Sequence, residues 1–184
     1  MVYSRIKYGL VVYGASNGAV INHIKTLYYT LVYSRIKYGL VVYGASNSTI
    51  INHIQTLQNQ LLKVLTKKPY RYSTNALHNE LKLIKVIDIF KQEVLSFVFN
   101  YYTNKLPPVF SNYFTLFSNI HNYNTRDRNQ SFILPQFSNE FGSSALKVEG
   151  VRLWNSLNVG MKSLKSIKTF RKSLKESYLP YSLQ

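Results

Sequence analysis

The chain contains no cysteine in its 184 residues. That removes disulfides, thiolate nucleophiles and cysteine-based zinc sites. Acid is nearly as scarce: seven Asp and Glu stand against 23 Lys and Arg, and none of the seven lies before Glu80. Chemistry that needs paired carboxylates has little to draw on, since Asp88 and Asp127 are the only aspartates. The histidines His23, His53, His78 and His121 are scattered, so no metal site is expected, and nothing points to a cofactor. Long apolar runs are missing too. "YGLVVYG" is far shorter than the ~20 residues a membrane span needs. The opening "MVYSRIKYG" lacks the ordered basic, apolar and small-residue regions of a signal peptide.

What is abundant is positive charge. The formal net is +16 and the isoelectric point is near 9.9. Such an excess fits a polyanionic partner, most often nucleic acid, because each neutralised phosphate releases counterions. The bland alternative is a basic surface that only aids solubility. An apolar fraction of 46% is enough for a core, in one domain or two small ones.

The chain also repeats itself. "VYSRIKYGLVVYGASN" occupies residues 2–17 and again 32–47, and "GAVINHIKTL" (18–27) aligns with "STIINHIQTL" (48–57). Solenoid repeats keep packing positions and let solvated ones drift, and they need about three units to bury a core. Here Ser4, Arg5, Lys7 and Asn17 match their counterparts as faithfully as Ile6 and Leu10 do. The duplication therefore reads as copied coding sequence. Removing residues 1–26 is expected to leave the remainder nearly as stable, unless Val20, Ile24, Leu27 and Leu31, which fall at helical spacing, pack productively.

Helical signals dominate. Ile50, Ile54, Leu57, Leu61 and Val64 recur at steps of four and three within 48–66, with Ser48 as a candidate N-cap. Residues 26–44 form a second helix on the same reasoning, although Tyr, Val and Gly39 leave a strand reading open. "KKPYR" (67–71) is a loop, Ser73 or Thr74 caps a short helix, and Asp88 caps a longer one over 89–104. Its stripe of Phe90, Val94, Phe97 and Tyr101 reads as core. "KLPP" ends it. Beyond Pro108, "SFILPQF" (131–137) is strand-like and "FGSSALKVEGVRLWNSLN" (141–158) mixes short strands with a turn. The last element, 164–178, is an amphipathic helix with Leu164, Ile167, Phe170, Leu174 and Tyr178 on one side. Lys165, Lys168, Arg171, Lys172 and Lys175 flank it.

In order, "LYYTLVYSRIKYGLVVYG", "IQTLQNQLLKVL", "LH", "IKVIDIF", "FVFNYYTNKLPPVFSNYF", "HNYNTR", "GVRLWNSLN" and "FRKSLK" resemble the tail of the reverse transcriptase of jockey-type non-LTR (LINE-like) retrotransposons. The likeness spans residues 27–184. "LYYTL" gives the second copy the context the family shows, which leaves residues 1–26 as the extra copy. The resemblance implies the thumb and the segment after it, which grip the template–primer duplex. The expected organisation is a partial duplicate (1–31), a thumb-like helical bundle (32–105) and a basic region of short strands plus a terminal helix (106–184). The fold expected is mainly α with a small α+β C-terminal unit. The palm carboxylates and the "YxDD"-like turn of the family are missing, so a truncated, non-catalytic piece is expected. Its partners would be RNA, an RNA–DNA hybrid, or the palm of a full-length polymerase. Val151 and Asn158 stand where the family often has proline. Trp154 reads as a buried pin of the C-terminal unit, with base stacking as the rival reading. The expected phosphate contacts are Lys67, Lys68, Arg71, Arg126, Arg128, Lys162, Lys165, Lys168, Arg171, Lys172 and Lys175. Other readings are a structural remnant without function and attachment to acidic membrane through the final helix.

Overall fold

The structure is a computed structural model that describes residues 17–43, 48–119, 130–136 and 146–179. It is mainly helical, as the periodicity predicts. Helix α1 (Asn17–Leu27), a π-helical segment (Tyr28–Tyr33) and α2 (Ser34–Tyr43) run on from one another, because Leu27 and Ser34 at the joins keep helical dihedrals. The strand reading of this stretch is thereby closed. Helix α3 (Ser48–Leu65), α4 (Thr74–Leu81) and α5 (Val86–Tyr102) follow. After 3₁₀ turns at Pro108–Phe110 and Phe117–Asn119 come α6 (Leu146–Asn155), α7 (Val159–Lys162) and α8 (Ile167–Tyr178).

Helix α5 is the central post. Ten of its residues are buried, including Phe90, Val94, Val98 and Phe99, and α2, α3, α6 and α8 all pack against it. Phe97 and Tyr101 of the predicted stripe are only partly covered, lying against aromatic neighbours. Gly150 lets α6 approach closely: a Cβ there would stand 3.0 Å from Val98 Cγ2. The start of α5 differs from the expected Asp88 cap. The helix begins at Val86, and the amide side chain of Gln55 on α3 accepts the Val86 N–H at 2.7 Å. A cap supplied by another helix has no local sequence signal. Ser73 does cap α4, accepting from the Ala76 N–H.

The small α+β unit is not present: among the described residues there is no strand, only a single antiparallel bridge between Leu116 and Phe132. On the side of Phe132 turned away from Leu116, Asn155 donates to the Phe132 carbonyl at 2.8 Å and accepts the Phe132 N–H at 3.0 Å, so a side chain stands where a second strand would pair. The valine-rich text of 146–155 is helix, with Val148, Val151 and Trp154 turned inward. Trp154 is fully buried and donates to the Gln130 carbonyl, as a pin does. Asn158 caps α7 by accepting from the Met161 N–H at 2.8 Å.

Two further readings change. The buried stripe of α3 is Ile51, Gln58, Leu62 and Leu65, while Ile50, Leu57 and Val64 face solvent. Burial of Gln58 is supported by its bonds to the Tyr28 hydroxyl and the Ile84 carbonyl. Second, the tail of the first copy is built into the core. Ile24 of α1 is 3% exposed among Leu62, Leu65, Leu77, Leu81 and Leu83, with Val20 and Ile21 packed beside it. The expectation that residues 1–26 are dispensable falls. Replacing Ile24 by Ala is expected to cost about 2–4 kcal/mol. A chain lacking residues 1–26 is expected to melt several degrees lower in a circular-dichroism scan; an unchanged midpoint in both would contradict this packing.

His78 gives the fold a pH dependence. It is 3% exposed, with Nδ1 3.0 Å from the Leu83 carbonyl and Nε2 2.9 Å from Asn59 Oδ1. Burial pushes its pKa below the ordinary 6.5, against the opposing pull of the Leu83 carbonyl. The unfolded chain therefore binds the proton more readily than the folded one, so stability falls as pH drops below about 6.5. Melting between about pH 7.5 and 5.5 is expected to show this loss, and His78→Gln to reduce it. A flat wild-type profile would refute it.

Candidate nucleic-acid interface

The C-terminal helix is fixed by its apolar side. Phe170 is fully buried, stacked on Phe99 with ring centroids 4.5 Å apart and planes 23° off parallel, and Trp154 lies 6.2 Å away. Leu174 is buried one turn on. With that side committed to α5 and α6, Lys165, Lys168 and Lys172 stand in solvent. Lys172 keeps 78% of its side chain exposed and reaches Glu176 at only 3.9 Å.

The flanking cations behave differently. Arg171 turns inward: its Nη2 is 2.7 Å from Glu93 Oε2 and its Nε donates to Ser96 Oγ at 2.9 Å. Gln92 donates to the Arg171 carbonyl at 2.8 Å. Lys175 donates to the Tyr29 hydroxyl at 2.8 Å and lies 5.2 Å from the centre of that ring. Arg171, Lys172 and Lys175 thus form one wall of a cleft of about 250 Å³, and Tyr28, Tyr29 and Tyr33 of the π-helical segment form the other. Burial raises the Tyr28 hydroxyl well above its ordinary pKa and raises that of Tyr33, where the Glu93 carboxylate adds to the shift. Both hydroxyls stay protonated at neutral pH.

The remaining expected contacts scatter. Lys162 is 1% exposed and aims its ammonium at the Asn155 carbonyl, 3.5 Å away, so it is absent from the surface a phosphate would meet. Its stem fills space beside Trp154's helix while its head meets a carbonyl, a use of lysine that charge counting misses. Lys67 and Arg71 are exposed in the loop between α3 and α4, with Lys67 at φ 53°. Lys68 beside them pairs with Glu80 at 3.5 Å and sits 4.2 Å above the Tyr72 ring. Arg126 and Arg128 lie outside the described residues.

Sequence reasoning missed Tyr28, Tyr29, Tyr33, Gln92 and Glu93 as members of this surface. The tyrosine-rich text "YYTLVY" is visible in the sequence, yet 146 positions separate Tyr29 from the Lys175 it meets. Among the described residues no group of His, Cys, Asp and Glu is arranged to hold a metal ion, and no helix is long and apolar enough to cross a membrane. No protein-family model, curated protein or solved structure matches the chain.

Glu93 is 8% exposed, and among the described residues its second oxygen, Oε1, accepts no hydrogen bond and faces the Lys37 ammonium at 3.4 Å. Glu93→Gln removes the counter-charge of two part-buried cations. It is expected to lower stability by roughly 1–3 kcal/mol, read as a fall in denaturation midpoint. Lys168→Gln is expected to leave the midpoint alone. Equal effects would deny the carboxylate its anchoring role.

Proposed function

We propose that the chain is a palm-less piece of a jockey-type retrotransposon reverse transcriptase whose remaining activity is sequence-independent binding of RNA or an RNA–DNA hybrid. The family assignment rests on the ordered run of motifs from "LYYTL" to "FRKSLK". The binding reading rests on one observation: Lys168 and Lys172 are exposed on the side of the terminal helix opposite buried Phe170 and Leu174, and Lys165 is exposed just ahead of the helix. Lys168 and Lys172, four residues apart, share one face about 6 Å apart along the helix axis. Such a row suits phosphates, which need charge and reach and no fixed motif. Lys67 and Arg71 supply further exposed cations. With no paired aspartates in the chain, the proposed role is grip without polymerisation.

The membrane reading is less well supported. An interfacial helix must place its apolar side among lipid tails, and here that side is occupied by Phe99 and Trp154.

Titration of a labelled RNA–DNA hybrid at several salt concentrations tests the binding. Affinity is expected to fall with salt by roughly 0.7 to 0.9 log units per log unit for each phosphate neutralised. Changing Lys165, Lys168 and Lys172 together to Gln is expected to flatten that slope by about 2 and to weaken unrelated sequences alike. Identical slopes and affinities for the wild type and the triple variant would remove this helix as the binding surface and leave the structural-remnant reading in its place.

A further inference from the structure

The outer face of α3 is only partly covered by the described fold, with Ile54 and Leu61 reaching the core at its edges. Ile50, Leu57 and Val64 are 39%, 50% and 49% exposed, and Ile54 and Leu61 between them are only partly covered. The five follow steps of 4, 3, 4 and 3, which is the heptad spacing of a two-stranded coiled-coil seam. An ordinary surface helix buries this stripe. Here α3 buries the neighbouring line of Ile51, Gln58, Leu62 and Leu65 and leaves the seam outward.

Charge selects the occupant. In a chain of net +16, the eighteen residues of α3 carry one charged side chain, Lys63. The exposed flanks are Asn52, His53, Thr56 and Gln60. A nucleic acid or an acidic membrane is drawn to cations, and this face offers almost none. A second copy of so basic a chain is repelled everywhere except at a neutral face, and an apolar seam is complementary to itself about a two-fold axis. The first copy of the duplicated text supports the same use. Val20, Ile24 and Leu27 align with Ile50, Ile54 and Leu57, and in α1 Val20 and Ile24 lie against other helices, with Ile24 buried.

We infer that the Ile50–Val64 seam of α3 is a self-association surface through which two copies of this chain pair helix to helix. This goes beyond nucleic-acid binding and does not depend on it. The seam is about 20 Å long, so the contact is small and the dimer weak. Its salt dependence has the opposite sign to that of phosphate binding. Salt screens the repulsion between the two basic bodies and strengthens pairing.

Sedimentation equilibrium over a range of concentrations, at about 0.05 and 0.5 M salt, is the test. The mass is expected to rise from 21.4 kDa toward twice that value, and further at high salt. Leu57→Gln with Val64→Gln is expected to hold the protein at the monomer mass with an unchanged melting midpoint. A wild type that stays monomeric at every concentration and salt overturns the proposal, as does a double variant that associates equally well. Because the chain has no cysteine, crosslinking gives a second reading that does not depend on the double variant's folding. Leu57 is the middle of the five, so Leu57→Cys meets its own mate in either helix orientation. It is expected to form a disulfide dimer under mild oxidation, whereas Val109→Cys, 87% exposed, is not. Equal crosslinking at both positions would reject the seam.

Discussion

One carboxylate ties α2 and α8 to the central helix. Glu93, on the central helix, is almost sealed from water and draws in Arg171 from the last helix and Lys37 from the second copy of the repeat. A buried ion pair contributes little net stability, since desolvation offsets most of the attraction, but it penalises any arrangement that separates the partners. The consequence here is rotational. With Arg171 held inward and Phe170 stacked on Phe99, α8 has only one orientation left, and Lys168 and Lys172 are turned out by it. The tyrosine-walled cleft follows from the same constraint, because the backbone that positions Arg171 also brings Lys175 to Tyr29.

Features set by local chemistry were legible in the sequence. The α4 cap at Ser73, the stop after Tyr102 and the two-sided character of α8 each depend on residues within a turn or two of one another. The failures share a different origin: a side chain far along the chain closed a backbone group. Asn155 takes both polar groups of Phe132 on the side away from Leu116, so no second strand pairs there. Gln55 caps α5, so Asp88 is not needed there. Lys162 was counted as a surface cation because composition cannot tell an ammonium in water from one aimed at a carbonyl. In α3 the periodic stripe was real, yet the helix buries the line beside it, where Gln58 can reach the Tyr28 hydroxyl.

The duplication adds a case in which the same letters meet two environments. "INHI" at 21–24 buries Ile24, whereas "INHI" at 51–54 buries Ile51 and leaves Ile54 half covered. Local propensity is identical for the two, so the difference comes wholly from tertiary packing. Across the junction, reaching into the start of the second copy, runs the π-helical segment Tyr28–Tyr33, whose wider turn changes the facing of everything after it. Thr26, Thr30 and Ser34 line this seam and return their hydroxyls to carbonyls four residues back. A duplication begun as repetition has thereby become asymmetric structure, and its aromatic junction forms one wall of the basic cleft.

The distribution of the few acids decides where the surplus charge is felt. Each described glutamate faces a cation: Glu80 with Lys68, Glu93 with Lys37 and Arg171, Glu149 with Arg152, and Glu176 with Lys172. The exposed pairs add little to stability, since solvent screens them. Their effect is on the field. Around Glu93 the charges of Lys37 and Arg171 are partly cancelled within the fold, while Lys165 and Lys168 face water. Helix α3 lies at the other extreme, almost without charge. A strongly basic chain thus presents two kinds of surface, one suited to polyanions and one from which electrostatics is nearly absent. That separation would let the two proposed contacts, with phosphate and with a second copy, form without competing.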